Sequence, residues 1–165
     1  MASDSNFELA FIQWSTLKDI RRAKILHIDL GVGDPVTPGA VELNSVSKNG
    51  EEEISWLVYP VETICAEKIH PIVVLGPDNL RSKDVFDLSI LLPRCDIGIL
   101  KQALLKTFEY RKTLLPKNLS EFFSAIDTSM LRRGWNAATR EIKPSQPEFN
   151  RCWEIVISYF QQGDL

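Results

Sequence analysis

Histidine is scarce in this 165-residue chain: His27 and His70 are the only two. With so few imidazoles, and with Cys65, Cys95 and Cys152 far apart and outside metal-ligand spacing, a zinc site has no ligand set. An odd number of separated cysteines also argues against a disulfide scaffold and fits half-buried thiols in a reducing cytoplasm. No apolar run nears the roughly 20 residues of a membrane span. Met1-Ala2-Ser3-Asp4-Ser5 lacks a basic n-region and an apolar h-region, so no secretory signal is expected. Gly-x-Ser-x-Gly, a Walker lysine loop and His-Glu-x-x-His are all missing, which removes nucleophile-elbow and metalloprotease readings.

What is present is an ordinary globular composition, 44% apolar and 25% charged, with a net charge of −3. The molecule as a whole is therefore not a basic nucleic-acid binder. Its charge is uneven. Glu51-Glu52-Glu53 is acidic, whereas Lys101, Lys106, Arg111, Lys112, Lys117, Arg132, Arg133, Arg140 and Lys143 enrich the later half in cations. Two readings are open: a solvated helical surface, or a side facing polyphosphate or RNA.

The first third reads as strands. From Lys24 to Asp34 the apolar Leu26, Ile28, Leu30 and Val32 alternate with His27, Asp29, Gly31 and Gly33, the period of a strand with one buried face. Ile54 to Tyr59 is a second strand and Ala40 to Val46 a weaker one; Phe7 to Trp14 fits either a strand or a short helix. Beyond Pro60 the pattern becomes helical: Glu62 to Leu75, Lys83 to Leu92, Ile97 to Tyr110, Leu119 to Ile126, Ser129 to Arg140 and Glu148 to Gln161. Pro71 predicts a kink or break in the first of these. Ser82 reads as the cap of the second, and Pro93 as its end. Strands followed by helices give an α+β fold, a small antiparallel or mixed sheet leading into a helical bundle. One domain is expected over 1–165, strand-rich in 1–60 and helical in 61–165.

Three places carry candidate chemistry. Asp29, mid-strand beside Gly31, is either a Mg²⁺ ligand or a solvent-facing aspartate. Lys68, beside Glu67, is either a phosphate-neutralising cation or a surface lysine. Asp84 and Asp87, three apart, share a helix face that Lys68 can meet; Lys83 is placed to pair with Asp87 at i,i+4. A lysine and two carboxylates on adjoining helices form either a structural ion network or part of a charged active site.

Taken in order, these segments resemble the AbiEii/AbiGii toxin family. The resemblance runs through Ile28-Asp29-Leu30-Gly31-Val32-Gly33-Asp34, Tyr59-Pro60-Val61-Glu62-Thr63, Ala66-Glu67-Lys68, Leu75-Gly76, Asn79 and Arg81-Ser82-Lys83-Asp84-Val85-Phe86-Asp87-Leu88, then Thr107 to Thr113. It implies a partial polymerase-beta-type nucleotidyltransferase fold in a bacterial toxin–antitoxin or phage-defence system. The implied reaction is transfer of a nucleoside monophosphate from an NTP, often to tRNA, with Mg²⁺ as cofactor. The implied roles are catalytic for Lys68, Asp84 and Asp87, metal-binding for Asp29 and substrate-binding for Arg81 and Lys83. A cognate antitoxin is the implied partner. The family also uses a Gly-Ser motif for the triphosphate and an Asp-x-Asp strand for metals, and this sequence contains neither. The expectation is therefore a truncated, inactive enzyme; the alternatives are a split-enzyme subunit or a protein that binds nucleotide, tRNA or antitoxin. An apolar patch near Phe7, Phe11 and Trp14, hidden in a homodimer, is a further expectation.

Overall fold

A computed structural model of the chain describes residues 7–12, 25–30, 33–46, 50, 53–142 and 146–162. The chain divides into two compact units, Met1–Asp34 and Pro35–Leu165. The division falls at Asp34, earlier than the change of sequence character at Pro60.

The first unit is an antiparallel ladder of β1 (Phe7–Ile12) and β2 (Ile25–Leu30). The open choice for Phe7 to Trp14 thus resolves to a strand. Register sets Phe7 against Leu30 and Glu8 against Asp29. Only the backbone is described here, and Trp14 lies outside the described residues, so the expected Phe7, Phe11 and Trp14 patch does too.

The second unit begins with a threonine clasp. The Thr37 N–H donates to Thr63 Oγ1 at 2.9 Å, and the Thr63 hydroxyl donates back to the Thr37 carbonyl at 2.9 Å. Then β3 (Val41–Val46) pairs antiparallel with β4 (Glu53–Val58), setting Leu43 against Trp56 and Asn44 against Ser55. Trp56 donates to Ser45 Oγ on the apolar side, and Ser55 donates to Glu42 on the polar side. Leu43, Trp56 and Leu57 are exposed. The two ladders together supply the antiparallel strand part of the α+β fold.

Six α-helices follow among the described residues: α1 (Val61–Leu75), α2 (Ser82–Leu91), α3 (Ile97–Tyr110), α4 (Leu119–Ala125), α5 (Ser129–Thr139) and α6 (Phe149–Gln162). In α1 the fully buried Cys65, Ala66, Ile69 and Ile72 fall at i, i+1, i+4 and i+7, one helical face. The acidic Glu62 lies in its first turn, where the helix dipole favours a carboxylate. Glu62 also accepts the Asp96 N–H at 2.9 Å, tying the start of α1 to the start of α3. Asp96 caps α3 by accepting the Ile99 N–H, and Asn118 caps α4 by accepting that of Glu121.

The core is continuous. Helix α1 packs on α2 and α3, and α2 packs on α5 and α6. Val85, Leu88 and Leu92 share one buried cluster with Leu100, Leu104 and Phe108 and with aromatic groups of the later helices. Phe123 stacks on Phe160 with ring centroids 4.8 Å apart, and Arg132 covers the Phe149 ring. Each large buried side chain contributes about 1.5–3 kcal/mol by leaving water.

Two local expectations need correction. Helix α1 runs unbroken through Pro71 to Leu75. A proline inside a helix costs about 3 kcal/mol, and the neighbouring Ile69 and Ile72, both wholly buried, hold the segment on the core against that cost. Ser82 does not cap α2. Arg81 occupies the cap position, and the Ser82 hydroxyl instead donates to the Leu131 carbonyl of α5 at 2.7 Å.

Candidate functional site

The site is built where α1 passes α2. The three-residue spacing of Asp84 and Asp87 places both carboxylates on the α2 face toward α1, and Lys68 reaches both. Lys68 Nζ lies 3.0 Å from Asp84 Oδ1 and 2.6 Å from Asp87 Oδ2. The other oxygen of Asp84 accepts from Arg81 Nε at 2.5 Å. Asp84 is the hub: its side chain is only 5% exposed, against 58% for Arg81. Lys68 and Asp87 are half-buried between these extremes.

Backbone positioning comes from Asn79, which is wholly buried. Its side-chain amide donates to the Pro71 carbonyl at 3.2 Å, and its oxygen accepts the Arg81 N–H at 2.7 Å. Asn79 thereby fixes the entry to α2 against the last turn of α1. Asn shortly before a helix start is a turn signal, but its bond to Pro71, eight residues back, has no local signature.

Burial alone would pull the Lys68 ammonium down in pKa. The hydrogen bonds to Asp87 and Asp84 outweigh it and hold the pKa above the ordinary lysine value. The hydrogen bond to Asp84 likewise raises Arg81. Two cations thus face two carboxylates in a charge-matched cluster.

A second polar group lies on the other side of α1. Glu67 accepts from Thr107 Oγ1 at 3.2 Å and pairs with Arg111, both contributed by the α3 region. Lys112, at φ 52°, turns the chain after α3, and the Thr113 N–H donates to the Phe108 carbonyl. That turn brings Thr113 Oγ1 to 2.9 Å from His70 Nε2, while the His70 ring lies against Phe108. Burial, and then the Arg111 charge, lower the His70 pKa.

The structure therefore brings Lys68, Asp84, Asp87 and Arg81 together. Lys83 is exposed on α2, and Asp87 pairs with Lys68 in place of the expected Lys83. Asp29 lies on β2, opposite Glu8, in the first unit. Among the described residues, no group of three or more His, Cys, Asp or Glu side chains is arranged to hold a metal ion. Asp84 and Asp87 are already committed to Lys68 and Arg81, so this cluster as arranged does not fit Mg²⁺. Among the described residues no helix is long and apolar enough to cross a membrane.

A family model described as nucleotidyl transferase AbiEii toxin, type IV toxin–antitoxin system, matches residues 6–156. No curated protein and no solved structure matches the chain.

Proposed function

The chain belongs to the AbiEii nucleotidyl transferase toxin family, and from that premise we propose that Lys68, Asp84, Asp87 and Arg81 form its nucleotide-facing half-site. The observation that carries this reading is the convergence of Lys68 with Asp84 and Asp87 across two helices. An ammonium has three N–H donors. Two of them serve carboxylates, and the third is the one offered to a phosphate oxygen of an NTP. Arg81, anchored on the buried Asp84 but mostly exposed, and Lys83, one residue into the α2 surface beyond Ser82, supply further cationic contacts for the polyphosphate. Asp84 acts by fixing both cations, and Asp87 by keeping Lys68 charged.

These 165 residues contain no Gly-Ser dipeptide and no Asp-x-Asp, the family elements for holding triphosphate and metal. Asp29 takes the place of the family's strand aspartate, a single carboxylate where a Mg²⁺ pair would need more. We therefore expect these residues to bind NTP without transferring its nucleoside monophosphate to tRNA unless those motifs are supplied from outside them. The family's toxin–antitoxin setting makes an antitoxin the partner to look for.

The test is an assay of the purified chain with labelled NTPs, Mg²⁺ and tRNA, beside equilibrium titration with the same NTPs. The expected result is binding without label transfer. Loss of one charge-assisted contact in Lys68→Ala weakens binding by about tenfold or more. Robust transfer would overturn the half-site reading, and binding unchanged in Lys68→Ala would remove Lys68 from the site. The fully paired state of the cluster also supports a second reading, in which it fastens α1 to α2 and contributes no ligand contact; unchanged binding would favour it.

A further inference from the structure

A pair of thiols stands one turn before Lys68. Cys65 lies on α1 and is wholly buried, whereas Cys95 follows the short 3-10 turn Leu92–Arg94 and is partly exposed. Their sulfurs are 3.5 Å apart, and the Cys95 thiol is also 3.5 Å from the Leu91 carbonyl. Two buried cysteines packing as small apolar groups would need no mutual approach. Here sulfur faces sulfur at the junction of α1 with the α2–α3 connection.

We propose that Cys65 and Cys95 are a dithiol pair that a hydroperoxide converts to an intramolecular disulfide, with Cys95 attacked first and Cys65 resolving it. Solvent reach assigns the order, because an oxidant meets Cys95 and cannot meet Cys65. The Cys95 thiolate sulfur attacks a peroxide oxygen, the O–O bond breaks, and hydroxide leaves as water after taking a proton. This gives a sulfenic acid on Cys95. The Cys65 sulfur then attacks the Cys95 sulfur, the S–O bond breaks, and the departing hydroxide takes up the proton that Cys65 has released to leave as a second water. Two thiols lose two electrons and the peroxide gains them. The sulfurs then close from 3.5 Å to the bond length of about 2.05 Å.

The surroundings suit this order. The Cys95 hydrogen bond, and then burial, push the Cys65 thiol above the usual range, which keeps it from reacting first; oxidation of Cys95 removes that hydrogen bond before Cys65 attacks as a thiolate. The Tyr159 hydroxyl is buried without a hydrogen-bond partner among the described residues, and burial first, then the charges of Cys95 and Cys65, push its pKa up to about 12. The loop closed by a Cys65–Cys95 bond contains Lys68, Asn79, Arg81, Asp84 and Asp87, so oxidation would clamp both halves of the charged cluster in one covalent ring. The proposal stands independently of what reaction that cluster serves.

The test is treatment of the fully reduced 165-residue chain with hydrogen peroxide, followed by alkylation and non-reducing peptide mapping. The expected product is a monomer that loses about 2 Da, the two thiol hydrogens, with a Cys65–Cys95 linked peptide and Cys152 still alkylated. The oxidised chain should unfold at higher denaturant than the reduced one. Cys152→Ser should form the same link, while Cys65→Ser should leave a dimedone-reactive sulfenic acid on Cys95. If Cys65→Ser fails to fold, the wild-type peptide map decides alone. Cys95 driven to sulfinic acid beside a free Cys65, links formed only between molecules, or both thiols unreacted while the chain stays folded would each overturn the proposal.

Discussion

Glu67 and Lys68 are neighbours on α1, yet they serve different helices and in different ways. Lys68 turns to α2 and meets two carboxylates around a buried hub, Asp84, which also holds Arg81. Glu67 turns to α3 and pairs with Arg111, whose side chain is 38% exposed. Both contacts join α1 to a partner helix, so both could be only structural. The difference lies in surplus. The Lys68 cluster gathers more charge than fastening two helices needs, and it keeps one cation, Arg81, turned outward. Glu67 is as half-buried as Lys68, but Arg111 is more than a third exposed, so water screens the pair to about 0–1 kcal/mol, whereas breaking a network around a buried hub such as Asp84 costs several.

The sharpest way to break this comparison is to remove the hub. Asp84→Ala leaves Lys68 half-buried with one partner and returns Arg81 to water. We expect a loss of about 2–4 kcal/mol in urea unfolding, and a loss below about 1 kcal/mol would place the cluster in the same class as the Glu67 pair.

Gly134 offers a change that touches only the α2 side. A Cβ there would stand 2.6 Å from Ser82 Oγ, the hydroxyl that bonds the Leu131 carbonyl. Gly134→Ala should destabilise by about 1–3 kcal/mol through overpacking, despite alanine's better helix propensity. Chemical-shift changes should spread to Arg81 and Asp84 and leave Arg111 unmoved.

On the α3 side, Arg111→Ala should cost no more than about 1 kcal/mol. A larger loss in the same unfolding assay would show the two contacts to be equals. A smaller effect concerns His70. Burial and Arg111 hold its pKa below the ordinary value, so the fold favours the neutral ring. Its contribution is whole above about pH 6.5 and is lost as pH falls through the lowered folded value. The urea midpoint of the wild type should therefore fall more than that of His70→Gln over that window, and parallel curves would contradict the assignment.

The elements legible in the sequence were those written locally. Ile97 to Tyr110 reads as a helix from its own residues, and α3 spans them. The pairing of Lys68 with Asp84 and Asp87 was also within reach, because a three-residue spacing fixes which carboxylates share a face. What stayed hidden depends on how helices cross. Ser82 looks like a cap until α5 brings a carbonyl to it, and Asn79 gives no local sign of its bond to Pro71. Pro71 predicts a kink or a break from local rules; the break does not occur, and the buried Ile69 and Ile72 hold the helix on the core. The link from Glu67 to Arg111 spans 44 residues and follows from the packing of α1 on α3. The thiol pair was equally invisible: spacing separated Cys65 from Cys95 by 30 residues, and only the fold set their sulfurs together.

The most direct test of the account is a nucleotide titration of three folded proteins in parallel: wild type, Lys68→Met and Arg111→Ala. Lys68→Met keeps the stem and removes the charge, and urea unfolding of each protein confirms that the fold is retained. The account predicts that Lys68→Met weakens NTP binding by about tenfold or more, while Arg111→Ala binds as the wild type does. Equal affinities for all three, or a loss confined to Arg111→Ala, would contradict it.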